Sequence, residues 1–147
     1  MKPWMIYALG VIGVSLAGSL IGTSFLPGEW YQALNKPSFT PAPWVFGPVW
    51  SVLYAIIGWV GARKYLLGGA RGLWLAQMGV NLIWSPVFFG MHSPLGGTIV
   101  IAALWGLIVA FIAREWNNDR TSAVLFLPYI VWVSLASAVN LGVVVLN

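Results

Sequence analysis

Gln77, Asn81 and Ser85 recur at every fourth position and are flanked by aromatic rings, which makes them the side chains best placed to do chemistry. That spacing puts all three on one face of a helix, with Trp74, Trp84 and Phe88 beside them at three- and four-residue offsets. A second stripe of Trp132, Ala136 and Asn140 has the same period, with Ser137 adjacent, and Trp50 and Tyr54 share a face further upstream. Such sets offer flat apolar walls and a few hydrogen-bonding groups, the chemistry that holds a flat aromatic ligand. In this reading Trp50, Tyr54, Trp84, Phe88 and Trp132 are walls, Asn81, Ser85 and Asn140 are donors or acceptors, and Ala136 is a small floor. The competing role for the polar groups is hydrogen bonding between membrane helices, about 0.6 kcal/mol per contact.

Other chemistries lack their residues. There is no cysteine, so no disulfide framework, thiolate metal site or iron–sulfur cluster comes into question. No Asp, Glu, Lys, Arg or His falls within the long apolar runs, which leaves a proton-coupled carrier without its relay groups. Glu115 and Asp119, among Arg114 and Arg120, read as solvated charge at a helix end, and Glu29 as a loop residue. His92 is the single imidazole and reads as a surface loop residue rather than an axial haem ligand; no metal site is expected. The net charge of +4 is too scattered to make a nucleic-acid patch.

The elements that must position these side chains follow from composition. Apolar residues make up 60% of the chain and charged residues 7%, too few charges to cover a soluble domain. Charges cluster between apolar segments at Trp4–Phe25, Pro43–Ala62, Gly72–Met91, Ser93–Ala113 and Thr121–Leu146. Each is about 20 residues or longer, enough to cross roughly 30 Å of hydrocarbon as a helix. The fold class is therefore all-α: a single domain over residues 1–147, an integral membrane bundle of five transmembrane helices. A membrane β-barrel would need short alternating segments, which these continuous runs are not. The first segment is too long for a secretory signal and is taken as a retained helix. Lys2, Arg63, Lys64, Arg71, Arg114 and Arg120 share one face against Lys36 on the other, so charge bias predicts the N-terminus inside and the C-terminus outside.

Three connections are short, but Leu26 to Ala42 is long and carries Pro27, Pro37 and Pro41 among Trp30, Tyr31, Leu34 and Phe39. So apolar a segment is expected to fold as a cap over one end of the bundle rather than wave in water. The start of the second helix, the end of the third and the end of the fifth lie beneath it, so the site is a capped aromatic pocket. Small residues at Gly18 and Gly22, and at Ala102, Gly106 and Ala110, mark packing faces within the subunit or in a dimer. Pro48, Pro86 and Pro128 fall inside helices and are expected to kink them. Trp4, Trp30 and Trp116 fit interfacial anchors, Trp59, Trp74 and Trp105 packing or lipid-facing positions, and Trp44 the loop edge.

Three blocks carry a resemblance. They are Trp30-Tyr31-x-x-Leu34-x-Lys36-Pro37-x-x-x-Pro41 continuing through Trp44-Val45-Phe46-Gly47-Pro48-Val49-Trp50-x-x-Leu53-Tyr54; Asn81-x-x-Trp84-Ser85-Pro86-x-Phe88-Phe89-Gly90; and Pro128-Tyr129-x-x-Trp132-x-x-x-Ala136-x-x-x-Asn140. Together they resemble the signature of the translocator protein family, which includes the bacterial tryptophan-rich sensory proteins and the mitochondrial peripheral-type benzodiazepine receptor. The match spans nearly the whole chain, which is read as a bacterial member. The resemblance implies a homodimeric five-helix bundle that binds porphyrins such as protoporphyrin IX, and isoquinoline carboxamide and benzodiazepine drugs, beneath the first loop. It implies no required cofactor, porphyrin being the ligand. By motif position it implies ligand contacts at Tyr31, Pro41, Phe46, Trp50, Ser85, Phe88, Trp132 and Ala136. Trp50 and Trp132 match residues tied to light-dependent porphyrin breakdown in some bacterial members, and so would be the catalytic pair if breakdown occurs.

Two departures stand out. Ala42 replaces a proline frequent in relatives, and the run from Leu141 to Asn147 lacks the tyrosine and basic residue of the animal cholesterol motif. Three functions remain open: a porphyrin-binding sensor or regulator of tetrapyrrole metabolism or stress, with Lys36 available to a propionate; a light-dependent porphyrin-degrading enzyme; and a facilitative transporter of porphyrin or lipid. The first leads, and a binding protein is favoured over an enzyme.

Overall fold

A computed structural model describes residues 1–147. There are seven α-helices, α1 (Pro3–Ser24), α2 (Glu29–Ala33), α3 (Pro43–Leu67), α4 (Arg71–Ser85), α5 (Pro94–Glu115), α6 (Arg120–Leu125) and α7 (Leu127–Leu146), and all but the short α2 of the first loop contribute to five membrane-length spans. The expected segments all appear, and the second runs on to Leu67 because nothing breaks the helix before Gly68, at φ +80°. At about 1.5 Å per residue, the 22 residues of α1 or α5 reach roughly 33 Å, matching the hydrocarbon thickness. Only 27 of 147 residues are buried within the chain although 60% are apolar, so most apolar side chains keep part of their surface exposed. Lipid is the solvent that such a surface requires.

Proline divides two of the spans. Pro86 opens a π-helical turn, Pro86–Gly90, that ends the third span, where Met91 N–H donates to Pro86 O at 2.9 Å. Pro128, lacking an N–H, sits just past the break between α6 and α7 at Phe126. Around the ring of helices, α1 packs on α3 and α4, α4 on α5, and α5 on α7, while α6 closes the circle onto α3. The α1–α3 contact is made at Gly10 and Gly58, where a Cβ on either would meet the other's backbone. Gly18 receives the Tyr54 ring, as a packing face should, but Gly22 has nothing against it. Ala102, Gly106 and Ala110 of α5 face outward.

The apolar core is densest in the half of the bundle nearest the N-terminus, around Ile57, Val60, Ile108, Phe111, Phe126 and Val133. An ion cluster closes that end and overturns the expectation of solvated charge. Glu115 is fully buried, accepting from Lys64 Nζ at 2.9 Å, Ala70 N–H at 2.6 Å and Asn118 Nδ2 at 3.0 Å. Asp119 accepts from Arg63 through Nε and Nη2, at 3.2 and 2.8 Å, and lies 3.1 Å from Lys64 Nζ. The neighbouring Arg114 and Arg120 make no ion pair with either carboxylate. The chain instead returns Arg63 and Lys64 from the end of α3 to charges that would otherwise be buried alone.

Candidate functional site

At the other end the contacts are largely aromatic. α3 makes its close backbone approaches to α1, α4 and α6 rather than to α7, so large rings span the space between α3 and α7. Phe46 of α3 meets Trp132 of α7 edge-on at 5.6 Å between ring centres, and Trp50 lies 5.3 Å from Tyr54. Trp50, Tyr54, Trp84, Trp132 and Ala136 are each only partly buried and rest on the shared core. Of the predicted contacts, walls and floor, Phe46 meets Trp132 and Trp50 meets Tyr54, and Trp50, Tyr54, Trp132 and Ala136 all pack against the same core.

α4 forms the adjoining wall through two struts to α7. At the deeper level Asn81 Nδ2 donates to Tyr129 Oη at 2.6 Å, and Tyr129 O–H donates to Gln77 Oε1 at 2.8 Å. Nearer the loop, Trp84 Nε1 donates to Asn140 Oδ1 at 3.2 Å, while Asn140 Nδ2 donates to Ala136 O at 2.8 Å. The face of Gln77 and Asn81 thus links helices, the competing role recognised from sequence, and the amide of Asn140 is engaged on both sides. Asn81 Oδ1 and Ser85 Oγ, on successive turns of α4, make no hydrogen bond within the protein. Between the struts on α7 stands Trp132, whose Nε1 is the one buried side-chain nitrogen or oxygen without a partner. An unpaired buried donor is a standing cost that a ligand acceptor would relieve.

The loop covers this end. Residues 29–33 wind into α2, and Tyr31 lies edge-on to Phe88 and Phe89 at 6.1 and 5.4 Å. Burial pushes the Tyr31 phenol up from its ordinary value, and the ring lies beneath Lys36 Nζ at 4.5 Å. That ammonium also donates to Leu34 O at 3.2 Å and Gln32 O at 3.5 Å, so in this structure Lys36 caps α2. Trp30, expected as a membrane anchor, instead stacks on His92 at 4.6 Å and meets Phe88 edge-on at 5.7 Å. His92 adopts φ +49°, a left-handed conformation unusual outside glycine, and holds its ring against the cap. Phe88 is 2% exposed; Trp84 stacks on it at 5.1 Å, and the missing Cβ of Gly97 makes room for it. Pro41, half-buried, leads from the cap into α3.

Sequence reasoning did not count Tyr129 or Phe89 among the site residues, and it took Trp30 of the cap for an interfacial anchor. Tyr129 sits three residues before Trp132 on the same stripe, a signal that was available; the stacking of Trp30 on His92 had none. No three His, Cys, Asp or Glu side chains stand close enough to hold a metal ion. Two further apolar grooves open on the lipid-facing surface, about 580 Å³ lined by Trp4, Tyr7, Ala8, Val11, Ile12 and Trp59, and about 300 Å³ beside Trp116.

Five membrane-length helices, with aromatic rings of α3, α4 and α7 gathered at the end that the folded loop covers, define a polytopic α-helical membrane protein. Residues 6–146 match the TspO/MBR family, and the chain belongs to it. It is 36% identical to the protein CrtK of Rhodobacter capsulatus over 97% of this chain and 92% of that one. It is 35% identical to the tryptophan-rich protein TspO of Archaeoglobus fulgidus, over 95% of this chain and 93% of the relative. Similarity extends to the human translocator protein, 31% identical over 94% of this chain and 88% of that one.

Proposed function

We propose that the chain binds flat aromatic tetrapyrroles of the protoporphyrin IX type, and other hydrophobic aromatic molecules, between α3 and α7 beneath the loop, as a sensor or regulator of tetrapyrrole supply. The observation that carries this reading is the unpaired, buried Trp132 Nε1 in a gap otherwise walled by rings. Phe46, Trp50 and Trp132 offer π faces to a macrocycle, while Trp132 N–H, Ser85 Oγ and Asn81 Oδ1 are polar atoms without protein partners. Tyr31 and Phe88 close the loop side. The surplus of basic residues on the N-terminal face supports an orientation with that face inside and the capped site outside. The family resemblance implies a homodimer.

Titration of the detergent-purified chain with protoporphyrin IX, read by quenching of tryptophan fluorescence, tests the proposal. Trp132→Phe keeps a ring and removes the N–H, and should weaken binding about 5- to 10-fold, the worth of one hydrogen bond. Trp132→Ala should weaken it further. Equal affinity in all three proteins would remove the site from the account. Illuminating the same complexes in oxygen asks whether Trp50 and Trp132, both oxidisable indoles, also support breakdown, which would appear as a new absorbing product.

A further inference from the structure

The loop is fastened at two unlike places. Trp30 and Tyr31 rest on rings of the third span, and one of those rings, Phe88, stacks on Trp84 in the site wall. The second attachment is polar and stands apart from the rings. Asn35 N–H donates to Asn147 Oδ1 at 3.1 Å, and Asn147 Nδ2 donates back to Asn35 O at 2.8 Å. A single carboxamide thus satisfies both backbone polar groups of one loop residue, as a neighbouring β-strand would. Only Asn or Gln carries a donor and an acceptor side by side for this. Asn147 Nδ2 also donates to Val143 O at 2.7 Å, which fixes the amide to the last turn of α7, and Asn35 Nδ2 reaches Leu146 O at 3.5 Å. One turn back, Pro37 occupies the space left by the absent Cβ of Gly142.

Both asparagines are solvent-exposed, so these bonds compete with water and are individually weak. The remaining polar contacts of this stretch, Lys36 to Gln32 O and Leu34 O and Thr40 to Pro37 O, stay within the loop and do not tie it to the bundle. We propose that the Asn35–Asn147 pairing, seated by Pro37 on Gly142, is the latch of the cap: it sets how fast a flat aromatic ligand enters and leaves the site. Asn35 and Asn147 are then positioning residues that touch no ligand. This role rests on the binding reading above, so the loop is examined first without ligand.

Hydrogen exchange of the full chain in detergent should show faster exchange across residues 34–40 in Asn147→Asp, which keeps the acceptor but loses the donor, and in Asn147→Leu, which loses both. Exchange in the middle of α4 and α7 should be unchanged. Gly142→Ala gives an independent route, since its Cβ displaces Pro37 while favouring the helix. Stopped-flow mixing with protoporphyrin IX should then show association and dissociation both about tenfold faster, with affinity changed less than about threefold, because a gate alters both rates together. A purely structural role would lower affinity instead. Unchanged loop exchange in all three variants would overturn the latch, and faster exchange with unaltered porphyrin rates would overturn its gating role. If the unsubstituted protein takes up no porphyrin, the binding reading fails and the gating role with it, while loop exchange still decides whether the latch exists.

Discussion

At the scale of single residues, the polar groups inside the spans divide into those that join helices and those left free. Tyr129 is completely buried, and its hydroxyl is the only link between Gln77 and Asn81. Tyr129→Phe should lower stability by about 1–2 kcal/mol, since the phenyl ring still packs but two buried amide groups lose a partner. Thermal unfolding in detergent measures this, and an unchanged midpoint would mean that Gln77 and Asn81 find each other. Trp132 is the opposite case, a donor with packing on its faces and nothing at its nitrogen. From sequence the two residues look alike, aromatic rings three positions apart on one helix face. Which is satisfied depends on what stands opposite, and that is set by the rotation of α4 and α3 about their axes.

Among elements, the α1–α3 pair is the tightest, and it is built on glycine. Gly10 and Gly58 let the two backbones touch, so the obstacle to a larger residue is main chain, which cannot move aside as a side chain can. Gly58→Ala should destabilise by about 1–3 kcal/mol, the range for overpacking, although alanine is the better helix former. Gly79→Ala, where no atom lies within 4 Å, is the matched control and should be neutral or slightly stabilising. Equal midpoints for the two variants would contradict the close approach. The spacing of Gly18 and Gly22 was legible as a packing motif, yet only Gly18 packs, against Tyr54. A four-residue repeat identifies a face, and the length of the contact along that face depends on where the helices diverge toward the loop.

For the whole molecule, the two ends are built differently. One is locked by buried ion pairs, and the other is a set of aromatic contacts under a loop held by weak hydrogen bonds. The lock makes stability depend on pH. The Arg63 guanidinium beside Asp119, assisted by Ser122 and Lys64, holds its carboxyl well below the usual carboxylate range. A carboxyl lowered in this way stabilises the fold fully above the unfolded value of about 4, and that stabilisation is lost as pH falls below it. The unfolding midpoint in detergent should therefore begin to drop near about pH 5 and keep falling below about pH 3, and Asp119→Asn should start lower and drop less. An equally steep fall in the variant would assign the acid sensitivity to other groups.

Sequence alone determined that the chain crosses a membrane five times, that a loop between the first and second spans is special, and which helix faces carry its aromatic stripes. The physical reason is that lipid leaves backbone groups no partner but the helix itself, so a run of about 20 apolar residues is decisive wherever it occurs. Helical periodicity then assigns faces from local order. Only the tertiary structure decided that Glu115 is buried against Lys64, that Asn81 is engaged by Tyr129 while Trp132 is left unpaired, and that Asn35 meets Asn147 from 112 residues away. Each of these depends on how far one helix turns or slides against another, which the pattern within a single helix does not encode.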